Sequence, residues 1–278
     1  ENKEHFLKER MLFDVTLFSD GSNIQRKPKG HLYLYPLIAI AAMLAIVFVM
    51  DLPHMHKPKQ QLSQTIRIPA GQRAQMDLPD GSVVWLNSQT TLTYDENFGK
   101  KDRKVTLDGE AYFEVAHNKE IPFYVQTENI KVQVTGTKFD VCSYKGSNSF
   151  IARLIEGSIN LLTNNAKEEK PITSLTKGKY FSMENGKYKT GEMSSNNALA
   201  WMQGIYYFDD VPFKELLDKI ALYYNYKITV KNPKILENYR CTGKFKDLDG
   251  IEHILKVIQK DHPFKYNIDN EHNKITIE

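Results

Sequence analysis

Three residues near the C-terminal end carry side chains from which a nucleophilic site can be drawn: Cys241, with His253 and His262 as candidate bases. A thiol becomes a nucleophile only when a neighbouring base or an electropositive environment ionises it. Cys241, however, sits in a strand-like run, RCTGKFK (240 to 246), where a small buried thiol is ordinary, and His253 falls beside the apolar stripe of a helical segment. Packing is the stronger reading of all three. His54-Met55-His56 could hold copper or zinc, but two ligands on a Pro-flanked, extended tether are too few. Elsewhere the chain has no G-x-S-x-G elbow, no H-E-x-x-H, no P-loop and no G-x-G-x-x-G after a strand. Cys142 and Cys241 make neither a disulfide framework nor a zinc cluster, and both are expected as free thiols. No catalytic residue, cofactor or metal is assigned.

With chemistry set aside, the question becomes which elements the chain builds. At 278 residues there is room for about two domains. Charged residues make up 26% and hydrophobic ones 41%, so sizeable cores can form. Thirty-seven basic against 34 acidic side chains, a formal +3, is too balanced for a surface devoted to nucleic acid. One stretch stands apart: Leu32 to Met50, LYLYPLIAIAAMLAIVFVM, contains no charge. A helix of that length reaches roughly 28 Å, close to the hydrocarbon thickness of a bilayer, and Tyr33 and Tyr35 stand where interfacial aromatics belong. A signal peptide would have a shorter apolar core and a small-x-small cleavage site, which Met50-Asp51-Leu52-Pro53 is not. The segment is read as one membrane span. Arg26, Lys27 and Lys29 before it balance Lys57, Lys59 and Arg67 after it. The nearer cluster and Asp51 tilt the positive-inside rule toward a cytoplasmic N-terminus.

Residues 51 to 64 read as a linker, and from about Ile66 the sequence breaks into short β-branched and aromatic runs separated by turn signals. Pro79-Asp80-Gly81 makes a tight turn between strands at Arg73 to Leu78 and Ser82 to Asn87. Further strands are predicted at 104–107, 111–116, 123–126, 130–135, 138–144, 150–154, 158–162 and 179–183, with Asn185-Gly186 as a hairpin turn. Asp108-Gly109 reads as a turn and Gly136-Thr137 as a strand break. The stretch 65–192 is therefore expected to be an all-β domain, a solenoid or a sandwich, with Trp85 in its core. From residue 200 the character changes. Ile205 to Phe208 reads as a strand, and Pro212 suits the first turn of a helix. Phe213, Leu216, Leu217, Ile220, Ala221 and Tyr224 form that helix's apolar stripe, and Tyr226 to Val230 is a strand again. The order then repeats: a strand at Arg240 to Lys246, a capping-box-like start at Asp249 and Glu252, and a stripe of Ile251, Ile254, Leu255 and Ile258. A hairpin of Phe264 to Ile268 and Lys274 to Ile277 closes the chain. Two β-α-β units in a small α+β domain, 200–278, are expected. A KH-like reading fails because the G-x-x-G clamp is absent.

The runs LPDGSVVWLN (78 to 87), FGKKDRKVTLDGEAYFEVAHNKEIPFYVQT (98 to 127) and VTGTKFDVCSY (134 to 144) resemble the periplasmic domain of FecR-family sigma-factor regulators. AWMQGIYYFDDVPFKELLDKIALYYNYKITV (200 to 230) and YRCTGKFKDLDGIEHILKVIQKDHPFKYNID (239 to 269) are similar to the C-terminal module attached to that domain, which is akin to the short N-terminal domains of secretins and TonB-dependent receptors. The resemblance implies an inner-membrane anti-sigma factor with a cytoplasmic N-terminus. Its implied partners are an extracytoplasmic-function sigma factor and the N-terminal signalling domain of a TonB-dependent outer-membrane transporter. The family's helical anti-sigma domain is longer than residues 1–31, where Phe6, Leu7, Met11, Leu12, Val15 and Leu17 supply at most a last helix. Pro79, Asp80, Gly81, Trp85, Gly109, Glu110, Gly136, Phe139 and Pro212 are assigned as fold determinants. The docking edge for the transporter is expected at Tyr206, Tyr207 and Phe208 or at Ile275 and Ile277, since an unpaired strand edge is a template for a partner strand. The competing reading is a membrane-tethered periplasmic binding module, with Tyr94, Tyr112, Tyr124 and Tyr144 as a glycan platform; aromatics alternating with aliphatics in strands favour core instead.

Overall fold

The computed structural model describes residues 39–47, 62–164, 169–193 and 196–278. Residues 39–47 form a helix, α1, of apolar residues only; Ile40, Met43, Leu44, Ile46 and Val47 are all more than half exposed. Among the described residues no helix is long and apolar enough to cross a membrane. The rest of the 32–50 segment, residues 1–31 and the tether with His54 and His56 lie outside the described residues. The linker ends earlier than expected, because the first strand starts at Ser63.

The remaining chain, Gln61–Glu278, is one compact unit. Its N-terminal part is a continuous thirteen-stranded sheet. The strands are β1 (Ser63–Arg67), β2 (Ala74–Asp77), β3 (Val83–Leu86), β4 (Thr91–Asp95), β5 (Arg103–Glu114), β6 (Phe123–Gln126), β7 (Ile130–Val134), β8 (Lys138–Ser143), β9 (Ser149–Glu156), β10 (Ser158–Thr163), β11 (Pro171–Thr176), β12 (Lys179–Glu184) and β13 (Lys187–Glu192). The sheet is folded over along β5, which belongs to both halves. Residues 103–108 of β5 pair with β4 and β6, in a half-sheet ordered β1-β4-β5-β6-β7-β10-β11. Residues 109–114 pair with β3 and β8, in a half-sheet ordered β2-β3-β5-β8-β9-β12-β13. Of these pairings only β5–β6 is parallel; a solenoid stacks its strands in parallel, so the sandwich alternative describes the domain better. Inward residues of both halves share one core. Phe113 stacks on Phe139 at 5.1 Å and meets Phe123 edge-on at 5.9 Å.

Two expectations are corrected here. Asp108-Gly109 is not a turn: the chain runs straight through it as a twelve-residue strand. Gly109, at φ +133°, lets the strand bend from one half-sheet into the other. The strands β1, β4 and β11 stand outside the expected set, and β13 is the second arm of the hairpin expected at Asn185-Gly186. β11 and β13 are edges, and edges carry proline and lysine in place of an apolar alternation.

A 3-10 helix, Asn196–Gln203, leads into the C-terminal module. It contains β14 (Ile205–Pro212), α2 (Phe213–Tyr224), β15 (Lys227–Val230), β16 (Arg240–Lys246), α3 (Gly250–Asp261), β17 (Tyr266–Asp269) and β18 (Lys274–Ile277). Both predicted helical stripes are buried: Phe213, Leu216, Leu217 and Ile220 on α2, and Ile251, Ile254, Leu255 and Ile258 on α3. The β-α-β order occurs twice, but each helix connects two different sheets. β14 pairs with β16, and β15 pairs in parallel with β18, which pairs with β17. The expected β-α-β units, in the sense of neighbouring parallel strands, are therefore absent from the described residues. The capping box is also displaced: Asp249 Oδ2 accepts from the backbone N–H of Lys246 (3.1 Å), closing a 3-10 turn ahead of α3, while Glu252 pairs with Lys256 at 2.7 Å.

Candidate functional site

On β5 the outward residues Lys104 and Thr106 are exposed, yet the outward residues Glu110 and Tyr112 are buried. A second layer therefore covers the outer face of one half-sheet, and that layer is the C-terminal module. Tyr112 belongs to the module's apolar cluster together with Trp201, Tyr206, Phe208, Phe213 and Tyr223, and Trp85 packs against it. Trp85 meets Tyr112 at 5.4 Å. Its place is thus the joint, not the β core: on a strand with two covered faces, residue type alone does not tell inward from outward.

The joint also has a polar frame. The last carbonyls of an α-helix lack partners within the helix. Here the β domain supplies them: the Gln89 amide donates to Leu222 O, and Ser88 Oγ donates to Tyr223 O at 3.2 Å. Gln89 reaches there from a left-handed backbone, φ +56°. Tyr144 Oη donates to Ser88 O at 2.8 Å, bracing the loop from below, and Arg73 pairs with Asp247 at 3.1 Å across the rim.

Between the layers lies a cavity of about 260 Å³, lined by Glu110, Arg153, Tyr180, Trp201, Tyr206 and Lys219 among others. Three ionisable side chains from neighbouring strands meet there: Glu110 and Arg153 line the cavity, and Asp140 lies buried against Arg153. Arg153 pairs directly across the β8–β9 ladder with Asp140, Nη1 to Oδ2 at 2.5 Å, and reaches Glu110 Oε1 only at 3.7 Å. Glu110 Oε2 accepts from Asn87 Nδ2 at 2.6 Å. Burial, reinforced by the Asp140 charge, pushes the Glu110 carboxyl up to about 7, against the pull of Arg153 and Asn87. Burial raises Asp140 too, with Arg153 opposing. Sequence reading missed this cluster, although its signal was present: outward strand positions held Glu, Asp and Arg where a solvated face and a buried face look alike until the covering layer is known.

The expected site residues separate into two groups. Asp80, Gly81, Gly109, Gly136 and Phe139 hold the β fold. Asp80 accepts from Ser82 N (3.0 Å), Ser82 Oγ (2.8 Å) and Arg103 Nη1 (3.2 Å); Pro79 precedes it, and Gly81 takes φ +82°. A Cβ on Gly136 would lie 2.8 Å from the backbone of His117. Phe139 is fully buried, and Pro212 closes β14 immediately before α2. The second group is the expected docking edge, and it divides. β18 lies between β15 and β17, so Ile275 and Ile277 sit in a central strand with buried side chains and offer no edge. β14 has β16 as its one strand partner. Tyr206 and Phe208 point into the module core, while Tyr207 is 42% exposed, beside Lys244 on the paired strand, with Lys246 also exposed.

The nucleophile reading finds no assembled site. His262 stacks on Tyr239 at 3.9 Å and its Nε2 contacts Ile235 O at 3.0 Å, His253 is exposed on α3, and burial pushes the Cys241 thiol up. Burial likewise pushes up the Cys142 thiol, and both cysteines are free. No group of three metal-ligating side chains occurs among the described residues. The four tyrosines of the glycan reading are dispersed. Tyr94 is buried in the β core and Tyr112 in the joint; Tyr144 is bonded to Ser88 O, and Tyr124 is held by Gln133 and by Lys131 over its ring.

The geometry thus defines a two-layer β domain roofed by a small α+β module. The FecR protein family model matches residues 64–160, and the FecR C-terminal model matches residues 205–277. A solved structure of a candidate anti-sigma factor from Parabacteroides distasonis ATCC 8503, at 2.50 Å, aligns with a TM-score of 0.66 and 25% identity, over 78% of this chain and 98% of that one. A second structure so described from the same organism, at 1.65 Å, aligns with a TM-score of 0.66 and 24% identity, over 77% and 98%. No curated protein matches the chain. The two family models together span more than half of the sequence, and the chain belongs to the FecR family of sigma-factor regulators.

Proposed function

We propose that this protein is a single-span inner-membrane signal transducer that regulates an extracytoplasmic-function sigma factor in response to a TonB-dependent outer-membrane transporter. Residues 32–50 cross the membrane with residues 1–31 in the cytoplasm, the side of the sigma factor. The β domain and the C-terminal module stand in the periplasm and act through protein contacts. The observation that carries this reading is the pairing of both FecR family regions, in order, behind an uncharged apolar segment whose described part is a fully apolar helix. A reporter active only outside the cytoplasm should work when fused after Gln60 and fail when fused after Gly30. The reverse pattern would overturn both the orientation and the assignment of compartments.

The transporter's signalling domain is proposed to dock on the β14–β16 face, where Tyr207 stands exposed between lysines. An exposed aromatic at the centre of a small interface commonly carries a large share of its affinity. Tyr207→Ala in the full-length protein should weaken binding of that domain by about tenfold or more, read by titration calorimetry. The core variant Ile275→Val should leave it unchanged. Equal affinity of Tyr207→Ala and the parent would remove this face from the interface.

A further inference from the structure

Two carboxylates and one guanidinium meet beneath the C-terminal module, and the guanidinium is already committed. Arg153 holds Asp140 at 2.5 Å and stands 3.7 Å from Glu110. The nearest cation of the module, Lys219, is engaged by Glu215 at 2.8 Å. Glu110 is left with one neutral donor, the Asn87 amide at 2.6 Å. Around it stand Asp140 and Cys142 from β8, Tyr144 just after it, Tyr206 from β14, Tyr223 and Lys219 from α2 and Arg153 from β9, with Glu192 and Asp209 also lining the cavity; Lys219 and Arg153 are the positive groups among them. With both carboxyls ionised the Glu110–Asp140–Arg153 cluster carries one uncompensated negative charge on two almost wholly buried carboxylates, a costly arrangement. Glu110 points outward from β5, so lifting the module would return it to solvent.

We propose that the seat of the C-terminal module on the β domain is a proton-operated latch, in which a protonated Glu110 keeps the module docked and its ionisation loosens it. The direction follows from linkage. Docked, the Glu110 carboxyl titrates near 7; undocked and solvated it returns toward the ordinary 4.5. The docked state therefore binds the extra proton between these values. Docking is strongest below the lower value, weakens as pH rises toward 7, and stays level above it. The full span corresponds to a change in the docking equilibrium on the order of a hundredfold. On the periplasmic placement proposed above, such a latch would set how readily a partner bound to the module can separate it from the β domain as the surrounding pH changes.

The chain contains two tryptophans, Trp85 and Trp201, and both lie in the joint, so their fluorescence reports on it directly. The full-length protein in detergent is titrated with urea at steps from pH 5 to pH 8.5, following tryptophan emission, alongside Glu110→Gln, which mimics the protonated side chain. The parent's tryptophan transition should move to lower urea as pH rises to about 7 and then hold, while Glu110→Gln should lack that component. The ratio of the two opening equilibria should change on the order of a hundredfold. Identical pH profiles for parent and variant would overturn the proposal. Should the variant fail to fold, the carboxyl carbon resonances of the parent decide: one glutamate titrating near 7 is expected, and none titrating above about 6 rules the latch out.

Discussion

Arg103→Ala should be the most damaging single side-chain truncation in the β domain. The guanidinium is almost wholly buried and satisfies four acceptors: Ile121 O at 2.7 Å, Ala116 O at 2.7 Å, Asn118 O at 3.0 Å and Asp80 Oδ2 at 3.2 Å. It pins the loop between β5 and β6 to the Pro79-Asp80-Gly81 turn. Removing it leaves Asp80 as an unpaired buried charge and strands three carbonyls, a loss of about 3–5 kcal/mol. In a unit of this size that corresponds to a fall in Tm on the order of 10 °C, measurable by calorimetry. Arg103→Lys keeps the charge but not the fork of donors, and should recover only a minor part of the loss. A Tm within about 2 °C of the parent for Arg103→Ala would mean that the network contributes nothing net.

Gly109→Ala should be comparably severe for a different reason. A Cβ there would sit 2.6 Å from Thr90 Cα and 2.4 Å from Thr90 Oγ1, and the backbone is at φ +133°. Thr90 cannot retreat, because its hydroxyl bridges both the N–H of Glu110 (3.0 Å) and the C=O of Glu110 (3.1 Å). The strand must either straighten, separating the two half-sheets, or push the 87–90 loop away from α2. The cost should be about 3 kcal/mol or more. Gly81→Ala is the control: it shares a left-handed backbone, φ +82°, but nothing lies within 4 Å of its would-be Cβ. That substitution should cost about 1 kcal/mol. Equal melting temperatures for the two variants would show that the close approach at Thr90 is of no consequence.

The contrast between these glycines shows where sequence reading reached its limit. Both follow an aspartate, and Asp-Gly is turn chemistry in either place. At Gly81 the turn is real. At Gly109 the residues on both sides find partner strands, β4 and β6 before it and β3 and β8 after it, so hydrogen bonding from distant segments keeps the chain extended. No local signal carries that information, because those partners come from segments on either side of β5 in the chain.

Local physics was enough for much of the rest. Short β-branched runs between turn residues read as strands, the 3.6-residue stripes of α2 and α3 read as amphipathic helices, and the order of motifs was enough to suggest the FecR family. The strand and helix signals depend on neighbours within a dozen residues, and the family signal on the order of short runs along the chain. What only the tertiary structure decided is the pairing: which strand lies at an edge, and which face receives a second cover. β18 ends the chain yet is central in its sheet, because β15 reaches it in parallel from forty-seven positions away (Lys227 beside Lys274). Tyr112 and Glu110 alternate with core residues as a solvated face would, yet are buried, because a module beginning some ninety residues later folds back over them. The two parts expected as separate domains therefore share one joint, and its charged residues acquire their chemistry only once that joint has closed.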